Sequence, residues 1–281
     1  MKPRRAIRRK ITDKIINGFA TVSALLGIFV LGWILLEVGT RGIAALNWEF
    51  FTALPTPPGV AGGGMANAIV GTLIITALAT VMGVPIGIMT GVYLAEVGKG
   101  TRLAAVVRFT INAMMGIPSI IIGLFIYTIV VLPMQHFSGI AGAFALAMIM
   151  LPVVAGTTED MLNLVPNALR ESALALGLPR WQVTFAVVFR AAKSGMITGV
   201  LLAVARVSGE TAPLLFTALN STYWLSSINE PVSNLTVTIF SYAMSPYADW
   251  QQAAWGASLL IMISVLLVTV FARSVFKEKK K

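Results

Sequence analysis

The sequence predicts an all-α polytopic membrane protein with six transmembrane helices and both termini in the cytoplasm. Three observations predict it. The first is composition: 57% of the 281 residues are hydrophobic and only 11% are charged, far less charge than a soluble domain carries. The second is a series of six apolar runs, each long enough to cross a hydrocarbon core of about 30 Å. The third is the distribution of the basic residues, which fall almost entirely in alternate connections between these runs.

The first apolar run, 19–36, carries no charge and follows a basic segment, 1–18, as in a signal peptide. It is longer than the ~7–15 residues of a signal core and no convincing cleavage site follows it, so we expect a retained anchor. Pro85 and Pro118 fall inside the second and third runs, where they are compatible with helix kinks beside a cavity. The five further runs are 66–94, 109–132, 140–157, 195–219 and 253–271.

The basic residues set the expected orientation. Nineteen of the 21 Lys and Arg residues lie before the first run, in the connections from the second to the third and from the fourth to the fifth, or after the sixth. Because cytoplasmic loops carry the excess of Lys and Arg, these segments are predicted to be cytoplasmic. The net charge of +10 is then explained by topology, and no nucleic-acid partner is expected. The predicted domains are 1–18, a permeation domain 19–276 that includes a cytoplasmic loop 159–194, and a basic tail 277–281.

The residue inventory excludes several kinds of chemistry. The chain contains no cysteine and one histidine, His136, which leaves neither a thiolate nor a histidine-built metal site. It also lacks the Gly-x-x-x-x-Gly-Lys-[Ser/Thr] pattern that cradles nucleotide phosphates. We therefore expect no catalytic site, metal, nucleotide or other cofactor in this chain.

The loop 159–194 contains a predicted short helix, 168–176, which Gly177 and Pro179 terminate. Small residues at 172, 173 and 175 would let another protein surface approach closely. The pattern fits either an amphipathic connector or a docking helix for a partner.

The fifth run contains charged residues that are costly in a membrane. Arg206 lies about 18 Å along a helix from the cytoplasmic end of the run, close to the bilayer midplane, where a charge costs at least ~2.5 kcal/mol. Glu210 follows one helical turn later, so the two side chains are predicted to be able to pair. They form either a structural ion pair or part of an oxyanion pathway, with Ser208 and Thr211 as hydroxyl donors. Pro213 is expected to kink the helix beside Glu210.

Glu210 has a specific meaning if the anion in the pathway retains a proton. The hydroxyl of a protonated oxyanion can donate to a carboxylate, whereas a fully ionised anion such as sulfate would meet only repulsion. Arg206 and Glu210 together would then favour a protonated oxyanion over sulfate.

Two parts of the sequence resemble known proteins. Glu171-Ser172-Ala173 with Gly177 resembles the Glu-Ala-Ala motif of ABC importer permeases, although Phe-Arg at 189–190 replaces the usual Leu-Pro. The stretches 206–217 and 242–250 resemble the A-type permease family of bacterial phosphate importers.

This resemblance implies a type I ABC importer permease fold in a bacterial inner or plasma membrane, in contact with lipid. It implies a sister permease subunit that completes a heterodimer, two ATP-binding subunits that carry ATP and Mg²⁺, and an extracytoplasmic phosphate-binding protein. It also assigns the docking of the ATPase to Glu171, Ser172, Ala173, Ala175 and Gly177. Two alternatives remain open: a permease for another oxyanion such as molybdate or sulfate, and a self-sufficient channel or secondary carrier.

Overall fold

The computed structural model describes residues 3–60 and 62–275, and this part of the chain contains helices and no strands, which confirms the all-α class. Short π-helical segments continue three of the helices, at Tyr93–Val97, Tyr127–Val131 and Val183–Val188. The helices are α1 (Pro3–Ile43), α2 (Trp48–Thr52), α3 (Ala66–Val92), α4 (Arg102–Gly116), α5 (Ser119–Ile126), α6 (Leu132–Met134), α7 (Gly139–Asn163), α8 (Asn167–Ala175), α9 (Arg180–Gln182), α10 (Phe189–Val207), α11 (Ala212–Leu215), α12 (Leu235–Ala243) and α13 (Ala248–Val275).

Five helical stretches within the described ranges are long and apolar enough to cross a membrane. A sixth crossing is possible if α4 and α5, which meet at an angle of 104°, act together as one bent span. The five stretches are Thr12–Ile43, Ala66–Val97, Gly139–Asn163, Arg180–Val207 and Ala248–Ser274.

The packing of α3 against α7 indicates that α4 and α5 act together as one bent span. Gly83, Gly87 and Gly91 on α3 recur every fourth residue, and their missing side chains let α7 approach closely. A Cβ on Gly83 would lie 3.0 Å from the carbonyl oxygen of Ala147, and a Cβ on Gly91 would lie 2.6 Å from that of Ala155. Residue numbers rise together along both helices, so α3 and α7 are parallel. The chain between them must return to the side where α3 begins, and α4 with α5 supplies that return.

The third predicted span is therefore a broken one, and its break falls at Pro118, where a helix kink was expected. Helix α4 ends at Gly116, and α5 begins at Ser119. Pro118 disfavours the helical conformation at the residue before it, and Ile117 accordingly has extended backbone angles, φ −75° and ψ 129°. Residues 116–118 at the break are exposed, and Ile117 and Pro118 share a cavity lining with Ile149, Pro152 and Val153 of α7.

The fifth predicted span is also broken, since α10 ends at Val207 and not near Leu219. Residues 208–211 leave the helix, and Pro213 lies in the first turn of α11, where a missing N–H costs nothing. The helix does open beside Glu210 as expected, but the opening is a break at 208–211, and Pro213 starts the next helix instead of kinking α10. The hydroxyl of Thr236 in the first turn of α12 donates to the carbonyl oxygen of Glu210 at 2.9 Å, which holds the break from the outer side.

Candidate functional site

The two helix breaks meet at one cavity of about 180 Å³. Gly123 on α5 packs against Pro213 on α11, because a Cβ on Gly123 would lie 2.5 Å from the Cα of Pro213. Helix α7 closes a third side near the middle of its length. The cavity is lined by Met114, Met115, Ile117, Pro118, Ser119, Ile122, Ile149, Pro152, Val153, Arg206 and Glu210.

Arg206 and Glu210 are the charged residues of this lining. The Arg206 side chain is exposed and the Glu210 residue is half-buried. Among the described residues, ion pairs join Arg41 to Glu37, Arg108 to Glu159 and Arg170 to Glu96, and none involves either cavity residue.

The ion pair between Arg206 and Glu210, one of the two alternatives from the sequence, is absent among the described residues. The helix ends at Val207, so Glu210 no longer follows Arg206 by one turn on the same helical face. Both side chains line the same cavity, and neither forms an ion pair with any residue that the structure describes. An anion that also carries a hydrogen-bond donor could bind both side chains at once.

The other three predicted pathway residues do not line this cavity. The hydroxyl of Ser208 donates to the carbonyl oxygen of Ala205 at 2.8 Å, and the residue lines a separate, mainly apolar cavity of about 290 Å³ beside α3 and α13. Thr211 precedes α11 and its side chain makes no capping hydrogen bond. Pro213 is buried against Gly123 and shapes the break without facing the cavity.

Most of the apolar lining has no signal in the sequence. Met114, Ser119 and Ile149 carry no charge or motif that would have identified them. Pro118 was noted as a possible kink beside a cavity, and it does line one, whereas Pro85 does not. Pro152, inside the predicted fourth span, was an available signal that was not used.

The loop 159–194 contains the predicted helix, at Asn167–Ala175 instead of 168–176, and α7 extends into this loop as far as Asn163. Gly177 has a left-handed backbone with φ 84°. The N–H of Gly177 donates to the carbonyl oxygen of Leu174, and the N–H of Leu178 donates to that of Ala173. These two bonds form a Schellman motif, which explains why a glycine ends this helix.

The two sides of α8 differ in accessibility. Glu171, Ser172, Leu174 and Ala175 are exposed and form an outer face. Ala173 is buried inside the chain, in an apolar cluster with Ala95, Leu162, Val165, Val183 and Val188. The prediction that the Ala173 side chain contacts a partner is therefore wrong, because residues 170 and 173 share the inner face of the helix.

Arg170 occupies the rest of that inner face, and the sequence analysis did not identify its role. Its Nη2 donates to Oε1 of Glu96 at 2.8 Å and to the carbonyl oxygen of Leu162 at 2.7 Å. Its Nε also donates to Oε1 of Glu96, at 3.3 Å. Its Nη1 donates to the carbonyl oxygen of Val165 and to Oδ1 of Asn167. One guanidinium thus joins α8 to the inner ends of α3 and α7.

The described residues contain no group of His, Asp and Glu side chains arranged to hold a metal ion.

Comparisons with known proteins identify relatives of the whole chain. Residues 83–279 match the family model described as "Binding-protein-dependent transport system inner membrane component". The chain is 49% identical over 272 residues to the "Phosphate transport system permease protein PstA" of Yersinia pestis, covering 97% of this chain and 92% of that protein. It is also 49% identical to the protein of the same name from Haemophilus influenzae, over 97% of this chain and 96% of the relative. A "Probable phosphate transport system permease protein PstA" from Methanocaldococcus jannaschii is 36% identical, with the same two coverages of 97% and 96%.

Solved structures with the same fold are more distant in sequence. A chain of a bacterial alginate ABC transporter matches with a TM-score of 0.67 at 13% identity, covering 100% of this chain and 99% of that chain. A chain of the inward-facing MetNI methionine ABC transporter matches with a TM-score of 0.63 at 18% identity, over 77% of this chain and 96% of that chain. These likenesses establish the fold as that of type I ABC importer permeases.

Proposed function

The chain belongs to the family of binding-protein-dependent transport system inner membrane components, and we propose that it is a permease subunit of an ATP-driven importer of inorganic phosphate. Its location is the inner membrane, which it crosses several times. The observation that carries the proposal is the cavity at the two helix breaks, which is lined by an arginine and a carboxylate that have no ion-pair partner in the described part of the chain.

In this proposal the chain forms half of the translocation pathway. A sister phosphate permease forms the other half, and an extracytoplasmic phosphate-binding protein delivers the substrate at the outer side. Two ATP-binding subunits supply the energy, and they hold the ATP and Mg²⁺, so the permease itself hydrolyses nothing. Both termini and the loop that contains α8 face the cytoplasm.

The cavity residues suit a protonated oxyanion. The planar guanidinium of Arg206 can donate to two phosphate oxygens at once. Glu210 can accept the hydrogen bond of the remaining phosphate hydroxyl, which an unprotonated anion cannot donate. Glu210 forms no ion pair among the described residues, so no paired basic side chain reduces the repulsion between its carboxylate and sulfate. The pair would therefore favour phosphate both by attraction and by exclusion of competitors.

Coupling to the ATPase is assigned to the outer face of α8. Glu171, Ser172 and Ala175 are exposed there, and the Schellman motif at Gly177 fixes the direction in which the chain leaves. A short, small-residue face of this kind fits a cleft on a partner. The buried Ala173 anchors the helix to its own chain instead of touching the partner.

The complex of the chain with its sister permease, ATPase and binding protein, reconstituted in vesicles, tests the proposal. We expect phosphate uptake that requires ATP and the binding protein. Uptake of molybdate or sulfate in place of phosphate would identify a different oxyanion importer. Phosphate flux through the chain alone, without the ATPase, would instead identify a channel or secondary carrier.

A further inference from the structure

The side chain of Arg170 is the point where three helices of this chain are joined at the cytoplasmic end. It is 12% exposed and its partner Glu96 is 11% exposed, so the pair is largely removed from water. Each nitrogen of the guanidinium donates a hydrogen bond, and the acceptors lie on the π-helical end of α3, at the end of α7 and at the start of α8.

Apolar contacts also attach α8 to the described part of the chain. Ala173 packs into the apolar cluster, and Leu178 beyond the helix packs into the same cluster. Apolar contacts of this kind have no preferred direction, so they allow a helix to slide or roll. The hydrogen bonds of Arg170 are directional and fix the position of α8 along and around its own axis.

The elements that Arg170 joins lead directly to the cavity. Helices α3 and α7 pack through the Gly83, Gly87 and Gly91 contacts and therefore move together. Helix α7 carries Ile149, Pro152 and Val153 into the cavity lining, about 15 Å along the helix from Leu162. A displacement of α8 that Arg170 transmits to the end of α7 would thus change the shape of the cavity.

We infer that Arg170 is the positioning residue that makes α8, α3 and α7 one rigid unit, so that movement of the ATPase reshapes the cavity. The inference rests on the proposed function, because it assumes that α8 receives its motion from an ATPase. Glu96 orients the guanidinium, and the carbonyl oxygens of Leu162 and Val165 attach it to α7.

This role requires an arginine. A lysine at 170 would keep the positive charge near Glu96, but its single ammonium group on a flexible chain cannot reach both the carboxylate and the α7 carbonyl oxygens in a fixed geometry. Arg170→Lys therefore separates rigid attachment from charge. Glu96→Gln keeps an acceptor for Arg170 and removes only the charge of the partner, so its effect should be smaller.

The first test compares Arg170→Lys with wild type in the complete reconstituted complex. We expect normal amounts of assembled complex and retained basal ATP hydrolysis. Phosphate uptake per complex should fall about tenfold or more, the loss expected when one charged hydrogen bond is removed. The stimulation of ATP hydrolysis by phosphate-loaded binding protein should fall with it. Arg102→Lys is the matched control, because Arg102 is exposed and should keep wild-type coupling.

The second test does not depend on the identity of the substrate. The chain is free of cysteine, so spin labels can be attached at Lys99→Cys and Leu176→Cys, two exposed positions beyond the ends of α3 and α8. In the complex, the distance between the labels should stay the same with and without ATP. In the Arg170→Lys variant, the distribution of distances between the two labels should become broader, or its mean should shift, when ATP is added.

The outcomes separate the inference from the proposed function. A wild-type complex that transports no phosphate contradicts the proposed function, and the label distances still decide the inference. Wild-type coupling in Arg170→Lys overturns the inference. A variant whose uptake and basal ATP hydrolysis fall only in proportion to the amount of assembled complex overturns it as well, since Arg170 would then be a structural attachment and nothing more.

Discussion

Replacing Arg206 with glutamine removes the positive charge from the cavity while keeping a long polar side chain. Arg206 is exposed and has no ion pair among the described residues, so its removal leaves no carboxylate that has lost a partner. The usual cost of breaking a buried pair, about 3–5 kcal/mol, therefore does not apply. We expect Arg206→Gln to insert, fold and assemble normally.

The loss of transport should nevertheless be large. A hydrogen bond to a charged group contributes about 1.5–3 kcal/mol, and each 1.4 kcal/mol corresponds to a factor of ten in an equilibrium constant. Removing the arginine should therefore weaken the interaction with the anion by a factor of roughly ten to one hundred and fifty. Arg206→Lys keeps the charge but loses the two-pronged geometry, and we expect a smaller loss, near the lower end of that range.

The assay is phosphate uptake by vesicles that contain the complete complex, normalised to the amount of assembled complex. Arg273→Gln is a control for loss of an exposed arginine at the far end of the same membrane domain, and it should transport normally. Near-normal uptake by Arg206→Gln would refute the role of Arg206 in the pathway. Loss of assembly in Arg206→Gln would refute the argument that the residue has no structural partner.

Three further predictions concern selectivity, packing and coupling, and a fourth concerns orientation. The Glu210→Gln variant should assemble normally and discriminate less well against sulfate. The measurement is competition between sulfate and phosphate for uptake, in a variant of the complex that does not need the binding protein. Unchanged discrimination would mean that Glu210 does not sense the phosphate proton. Gly91→Val should destabilise the α3–α7 pair by about 1–3 kcal/mol in a thermal unfolding measurement, because its Cβ would lie 2.6 Å from the Cβ of Thr158. Gly177→Val should impair ATPase coupling while Gly177→Asn is tolerated, because a Cβ there meets nothing within 4 Å and only the left-handed backbone resists substitution. A single cysteine at Arg180 should be labelled only from the cytoplasm; labelling from outside would overturn the assigned orientation.

Much of the architecture was predictable because hydrophobic length is a local property of the sequence. The second, fourth and sixth runs became α3, α7 and α13 within a few residues at most ends. The short helix at 168–176 and its termination at Gly177 also followed from local signals, since a left-handed C-cap depends on the few residues around it. The repeated glycines of α3 were an available signal for close helix packing that the sequence analysis did not use.

The site was predictable only in part. Arg206 and Glu210 stood out because charge is rare in an apolar run, and both line the cavity. Their geometry was wrong because the prediction assumed a continuous helix through Glu210. Ser208 and Thr211 were chosen for their hydroxyl groups and their nearness in sequence, and the break turns them away from the cavity.

By itself, the sequence determined that the chain is helical, which segments are long and apolar enough to cross a membrane, which charges lie within the apolar runs and where the short helix α8 ends. These properties depend on composition and on neighbours a few residues apart, which hydropathy and local backbone preferences report directly. Only the tertiary structure decided that α3 and α7 run parallel, that two broken spans meet at one cavity, and that Ala173 and Arg170 face inward. Those properties depend on residues such as Glu96 and Arg170, or Gly123 and Pro213, which are far apart in the chain and meet only when the helices pack. Packing also brings Arg206 and Glu210 to one cavity without an ion pair between them among the described residues, and it pairs Arg170 with Glu96 elsewhere.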